Sequence, residues 1–194
     1  MTDDEPVESF YSEDRWQNWI ERVREEQLDP EEEDSARLLL NLQDDAAIAV
    51  AKILSAHEED RIDADRAVEE IEDVREIVLA EVDIDEEDKL MLIDGVQTSL
   101  VPVFYAAEEF VIGGAAEDAT VDEYVRAAAD AESEEDLDAA LGYLVQAGTR
   151  VIDGEELDVR IAEEIDYGLV SEWINGLDSL QSALADPEVV DEDE

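Results

Sequence analysis

The chain has 194 residues, with 60 Asp and Glu against 12 Lys and Arg, a formal net charge of -48 and no cysteine. The missing thiols exclude disulfides, thiolate catalysis, cysteine-ligated zinc and iron–sulfur clusters. The arginines are scattered, with only Arg22 and Arg24 close together, so there is no basic patch for nucleic acid.

A charge of this size repels itself unless dense salt shortens the Debye length to about 3 Å. The balance therefore points to a halophile's salt-filled cytoplasm, where surface carboxylates hold water and cations. Met1 to Asp14 is acidic and lacks the basic-then-apolar pattern of a secretion leader. Acidity with few apolar residues would mean disorder. Here 45% of residues are hydrophobic and recur with helical periodicity, which predicts a folded chain.

In chain order, residues 1–9 read as a disordered acidic tail. Ser12 caps a first helix to about Gln27, with Trp16, Trp19, Ile20 and Val23 on one face. Asp29, Pro30 and Glu32 make a helix-start signal, predicting a second helix from there to about Ala56. Asp63 caps a third helix to about Glu81. A fourth, 86–112, is apolar nearly all round from Leu90 to Phe104, so it is expected to be central and buried rather than membrane-spanning. Pro102 is expected to kink or split it, and Gly113-Gly114 to end it. Thr120/Glu123 and Ser133/Asp136 look like capping boxes for a fifth helix (121–131) and a sixth (134–152). A long last helix, 155–185, carries the stripe Leu157, Ile161, Ile165, Leu169, Trp173, Leu177 before Asp186-Pro187 stops it, and 187–194 is a second acidic tail. No stretch alternates like a strand. The expectation is an all-α, irregular bundle of about seven helices, forming one domain over 10–186 with a candidate sub-division at the glycine-containing link 113–119.

Chemical motifs are sparse. In so acidic a chain, E-x-x-E matches such as Glu69/Glu72 and Asp73/Glu76 carry little weight, and Asp44-Asp45 lacks the third Asp of a D-D-x-x-D magnesium site because Ile48 stands there. The one histidine, His57, rules out paired Glu-x-x-His dimetal sites and multi-histidine zinc. No phosphate loop or nucleophile elbow is present. No metal or other cofactor is expected. Two groups stand out. Asn41, Asp44, Asp45, Asp94 and Gln97 interrupt apolar stretches and are expected to form a buried polar network or to line a ligand pocket. Trp16, Trp19 and Trp173 are the candidate anchors for a partner.

Four segments carry a resemblance: FYSEDRWQNW (10–19), ARLLLNLQDDAAIAVAK (36–52), LMLIDGVQTSLVPVFYAA (90–107) and WINGLDSLQS (173–182). The chain resembles an uncharacterised family of haloarchaeal proteins, domain of unknown function 2150, over about residues 10–190. The resemblance implies an origin and no activity. The resulting expectation is a cytoplasmic, non-catalytic protein that binds a protein partner or a second copy of itself, and neither nucleic acid nor membrane. The alternative is a metal-dependent hydrolase or small-ligand-binding bundle using the buried carboxylates.

Overall fold

The computed structural model describes residues 10–29 and 31–185; both acidic tails, Pro30 and the Asp186-Pro187 stop lie outside the described residues. Those residues form eight helices and no strand: α1 (Glu13–Glu25), α2 (Glu33–Glu58), α3 (Ala64–Val78), α4 (Glu87–Gly113), α5 (Val121–Ser133), α6 (Leu137–Ile152), α7 (Ile161–Glu164) and α8 (Leu169–Ala185).

Where a start signal is purely local, it holds. Ser12 accepts from the Arg15 N–H at 3.2 Å and Asp63 from the Arg66 N–H at 2.9 Å. Thr120 and Glu123 close a full capping box. Each pairing satisfies amides that have no partner inside the helix. Two expected starts move. Asp29 ties its carboxylate to the Glu31 N–H at 3.0 Å and its own N–H to Ser35 Oγ at 3.0 Å, and α2 begins at Glu33. Ser133 ends α5 instead of opening α6: its hydroxyl donates to the Ala129 carbonyl at 3.0 Å, and Asp136 alone caps α6.

The expected continuous last helix is broken. Residues 153–160 form no regular element, α7 is one turn, and α8 starts afresh at Leu169. The Glu132 carboxylate on α5 accepts from the Leu169 N–H at 2.7 Å and the Val170 N–H at 3.4 Å. It lies where a Cβ on Gly168 would stand, so a larger residue there would push the Glu132 carboxylate aside and loosen this cap. Burial of the stripe survives the break, since Leu157, Ile161, Trp173, Leu177 and Leu180 are all buried.

As expected, α4 is the hub, packing on α2, α3, α6 and α8. It runs unbroken through Pro102. From Leu42 to Ala56, α2 is more fully enclosed than α4, with small alanines at 46, 47, 49, 51 and 56 all buried. Helices on both sides of the 114–120 link share one apolar core reaching from Tyr11 to Leu180. His57 sits at the end of α2 with Nδ1 3.4 Å from the Ile62 carbonyl oxygen.

Two glycines set the crossings. A Cβ on Gly148 of α6 would come within 2.5 Å of Ala106 Cβ on α4, and one on Gly176 of α8 would overlap the Ser99 carbonyl of α4. Backbone cannot yield as a side chain can, so Gly176→Ala is expected to cost about 3 kcal/mol or more. Gly95 on α4 is the internal control: a Cβ there meets nothing within 4 Å, so Gly95→Ala should be neutral or stabilise by up to about 1 kcal/mol. Thermal melts by circular dichroism in multimolar KCl check both.

Candidate functional site

The eight residues singled out from sequence do not come together at one place. Asn41 and Asp94 are exposed. Gln97, half-buried, donates to the Val78 and Ala80 carbonyls at 2.8 and 2.9 Å, closing the C-terminal end of α3. Asp44 lies against α8. Of the three carboxylates among these eight, Asp45 alone is buried, with 1% of its side chain exposed.

Asp45 holds α1 to the bundle. Its oxygens accept from Arg15 Nε at 3.1 and 2.9 Å and from the Trp19 indole N–H at 2.9 Å. Arg22 lies over the Trp19 ring at 4.8 Å. Burial, and then the Asp45 charge, push the Tyr11 hydroxyl far above the ordinary tyrosine range. Further along, Arg24 donates to the Asp83 carbonyl at 3.0 Å and Lys89 to the Arg24 carbonyl at 2.7 Å. Trp16, Ile20 and Val23 are buried beneath this frame.

The tryptophans expected to anchor a partner are thus placed within the chain's own packing. Trp16 is 1% exposed, Trp173 is 6% exposed, and Trp19 is half-buried with its N–H engaged. An aromatic on a helical stripe reads the same from sequence whether its own chain or another covers it. Among the described residues the Trp173 indole nitrogen has no hydrogen-bond partner.

A polar line crosses the core: Ser99, a polar residue on an otherwise apolar helix, is expected from sequence to bond between helices, whereas its partners Gln43 and Ser179 are not. Ser99 Oγ lies 2.7 Å from Gln43 Oε1, and Gln43 Nε2 donates to Ser179 Oγ at 2.9 Å and to the Asn175 carbonyl at 3.2 Å. It links α2, α4 and α8 beside the Gly176 crossing. The signal was present: Gln43 falls on the Leu39, Ala46, Ala47, Val50 stripe, where a polar residue must find an internal partner.

The clefts are open and shallow. One, about 550 Å³ between α1 and α3, is lined by Tyr11, Trp16, Arg66, Glu70, Asp73 and Ile77 among others. Its one guanidinium, on Arg66, is ion-paired to Glu70. Among the described residues no three His, Asp or Glu side chains are placed to share a metal ion.

The outward face of α4 presents a different arrangement. Met91, Thr98, Tyr105 and Ile112 recur every seven residues, with Asp94, Val101 and Glu108 between them. Such spacing makes one stripe along a helix. Met91 is 67% exposed, Tyr105 40% and Ile112 75%, while Thr98 and Val101 are half-buried. On one flank, Arg75 of α3 pairs with Glu108 and stacks over Tyr105 at 5.2 Å. On the other, Gln146 of α6 donates to Glu109 at 2.9 Å. Apart from the Arg75 guanidinium over Tyr105, nothing described covers the stripe between them. By length and composition α4 is also apolar enough to cross a bilayer, with half of its apolar window buried in the bundle.

A family model described as "Uncharacterized protein conserved in archaea (DUF2150)" matches residues 9–193. No curated protein and no solved structure matches the chain.

Two predictions follow from the buried carboxylates. Arg15 is half-exposed whereas Asp45 is buried, so the two ends of their pair are unequal. Arg15→Ala leaves a buried anion short of its cation and should cost about 3 kcal/mol. Asp45→Asn leaves a cation that water can reach and should cost about 1–2 kcal/mol. Denaturant melts followed by tryptophan fluorescence distinguish the two. The second concerns Asp44 and Asp178. Burial pushes both carboxyls above their usual range; at Asp44 a Ser179 hydrogen bond offsets part of the rise and the Asp178 charge adds to it. Between the ordinary carboxylate pKa and these raised values the folded state holds more protons than the unfolded, so stability falls as pH rises through that window. At fixed KCl the melting temperature should therefore rise on mild acidification. Asp178→Asn should be more stable than the parent at neutral pH, with a shallower pH profile.

Proposed function

The chain belongs to the archaeal DUF2150 family, and we propose that it works by binding another macromolecule, as a non-catalytic interaction protein of a high-salt cytoplasm. One observation carries this reading: the uncovered stripe of Met91, Tyr105 and Ile112 on the hub helix α4. Single exposed apolar residues are ordinary on protein surfaces. A row of them at heptad spacing, on a surface otherwise crowded with carboxylates, is the kind of patch that marks a binding face. Concentrated salt screens charge attraction and favours burial of apolar surface, so a face of this type keeps its grip where a charged one loses it.

This site differs from the aromatic anchors expected from sequence. Trp16 and Trp173 are buried in the chain's own core, whereas Met91, Tyr105 and Ile112 stand exposed along one helix; other exposed apolar residues, such as Leu40, Leu137 and Tyr167, lie on other parts of the chain.

The test is affinity purification of the tagged full chain from its host, with lysis and washes in multimolar KCl and mass-spectrometric readout. The expected outcome is one or two stoichiometric partners, lost on the double substitution Met91→Glu, Ile112→Glu with the circular dichroism unchanged. Bait alone, or partners indifferent to those substitutions, would sink the reading.

A further inference from the structure

The stripe on α4 also constrains what covers it. Resting on the binding reading above, we propose that the outward face of α4 receives a single amphipathic helix from a partner protein, one whose apolar side chains recur at three-and-four spacing and are flanked by arginine or lysine.

The shape argument comes from the spacing. Met91 to Ile112 lie on one helix that continues through Pro102, so the stripe is about 31 Å long at 1.5 Å per residue. Met91 and Tyr105 stand about 21 Å apart along the axis and Tyr105 and Ile112 about 10 Å, with Thr98 and Val101 between the first two as lower ground. A second helix laid along it can drop its own heptad side chains into those gaps, as knobs enter holes in a two-stranded coil. Gly95, one turn after Met91 and one turn before Thr98, adds to this. It sits inside a helix, where glycine is unfavourable by about 1 kcal/mol relative to alanine, yet among the described residues nothing lies within 4 Å of where its Cβ would be. A closely approaching partner backbone uses that space.

The charge argument decides between occupants. The rim of the stripe is acidic, with Asp94, Glu108 and Glu109 on α4 and the charge of Glu72 acting on Glu108 from α3. Arg75, the cation at this rim, is already paired with Glu108. A second copy of the chain brings another net charge of -48. Antiparallel pairing of two α4 stripes about their midpoint would also set Asp94 of one copy against Glu108 of the other. A helix with basic flanks meets the same apolar row and places its cations on the exposed Asp94 and Glu109. Contact pairs of that kind select the partner even where long-range attraction is screened.

The probe is a fluorescein-labelled synthetic helix of about three heptads with leucine at the core positions and arginine at the flanks. Its control is the same peptide with glutamate flanks. Anisotropy titrations use the full chain in multimolar KCl. The arginine peptide is expected to saturate at one per chain and to bind at least about tenfold more tightly than the glutamate peptide. Met91→Glu with Ile112→Glu should weaken it by about tenfold or more. Gly95→Leu should do the same while the free protein melts no lower than the parent, because the added Cβ meets open space and leucine favours the helix over glycine. Equal binding of the two peptides, no binding of either, or binding that survives the substitutions overturns the proposal. So does a dimer in light scattering that the same substitutions dissociate, which would make the occupant a second copy. Host partners that co-purify and depend on Ile112, alongside an arginine peptide that fails, would leave the binding reading standing and refute the partner class alone. Failure of both would remove both.

Discussion

The architecture depends on one close contact, the crossing of α8 over α4 where Gly176 meets the Ser99 carbonyl. Without a side chain at Gly176, the two backbones touch. That brings Leu177 and Ile174 fully into the core and lets Gly148 of α6 settle on Ala106 of α4, with Leu177 packed against it. Close packing of this kind gives dispersion contacts that a looser crossing loses, but apolar contact alone leaves helices free to rotate or slide. The Ser99–Gln43–Ser179 line removes that freedom. Its members are buried, so a shifted register would leave polar groups without partners, at about 1–3 kcal/mol each. Geometry and polarity at this one place thus fix α2, α4 and α8, and the remaining helices pack around them.

With 60 acidic residues against 12 basic ones, the position of a carboxylate says little and the position of a cation says a great deal. The cations cluster at joints. Arg15 and Arg24 fasten α1, Lys89 reaches the end of α1 from α4, and Arg75 joins α3 to α4. Arg150 on α6 bonds the Ala116 carbonyl at 2.6 Å and pairs with Glu155, whose other oxygen accepts the Val121 N–H at 3.0 Å, so one guanidinium helps tie two connecting segments and the start of α5 to α6. Exposed pairs such as Arg126–Glu164 contribute little by comparison, since water and salt screen them. The same excess of carboxylates defines the free face of α4, where the apolar row is the exception.

Some features were legible in sequence because their causes are local. Ser12, Asp63 and Thr120 act as caps because each needs only amides two or three residues away. The expected starts at Asp29 and Ser133 fail for the opposite reason: Ser35 and the Ala129 carbonyl offer those groups other bonds. The single last helix fails because Glu132, distant in sequence, caps a new start at Leu169. Among the proposed polar residues, Asp45 and Gln97 do bond between elements, while Asn41 and Asp94 face outward. An apolar stretch on both sides of a polar residue does not say which way that residue points.

The sequence by itself determined the all-helical class, most of the helices, the apolar stripes and the family, because helical periodicity, caps and composition are written over a few turns of chain. Only the tertiary structure decided which of the sixty acidic side chains receives Arg15, which glycine carries a backbone crossing, and which apolar stripe goes uncovered. Periodicity marks a face as apolar but does not mark what lies against it. On α4, apolar nearly all round, four neighbouring helices take most of the surface, and the strip they leave exists only once they have been placed.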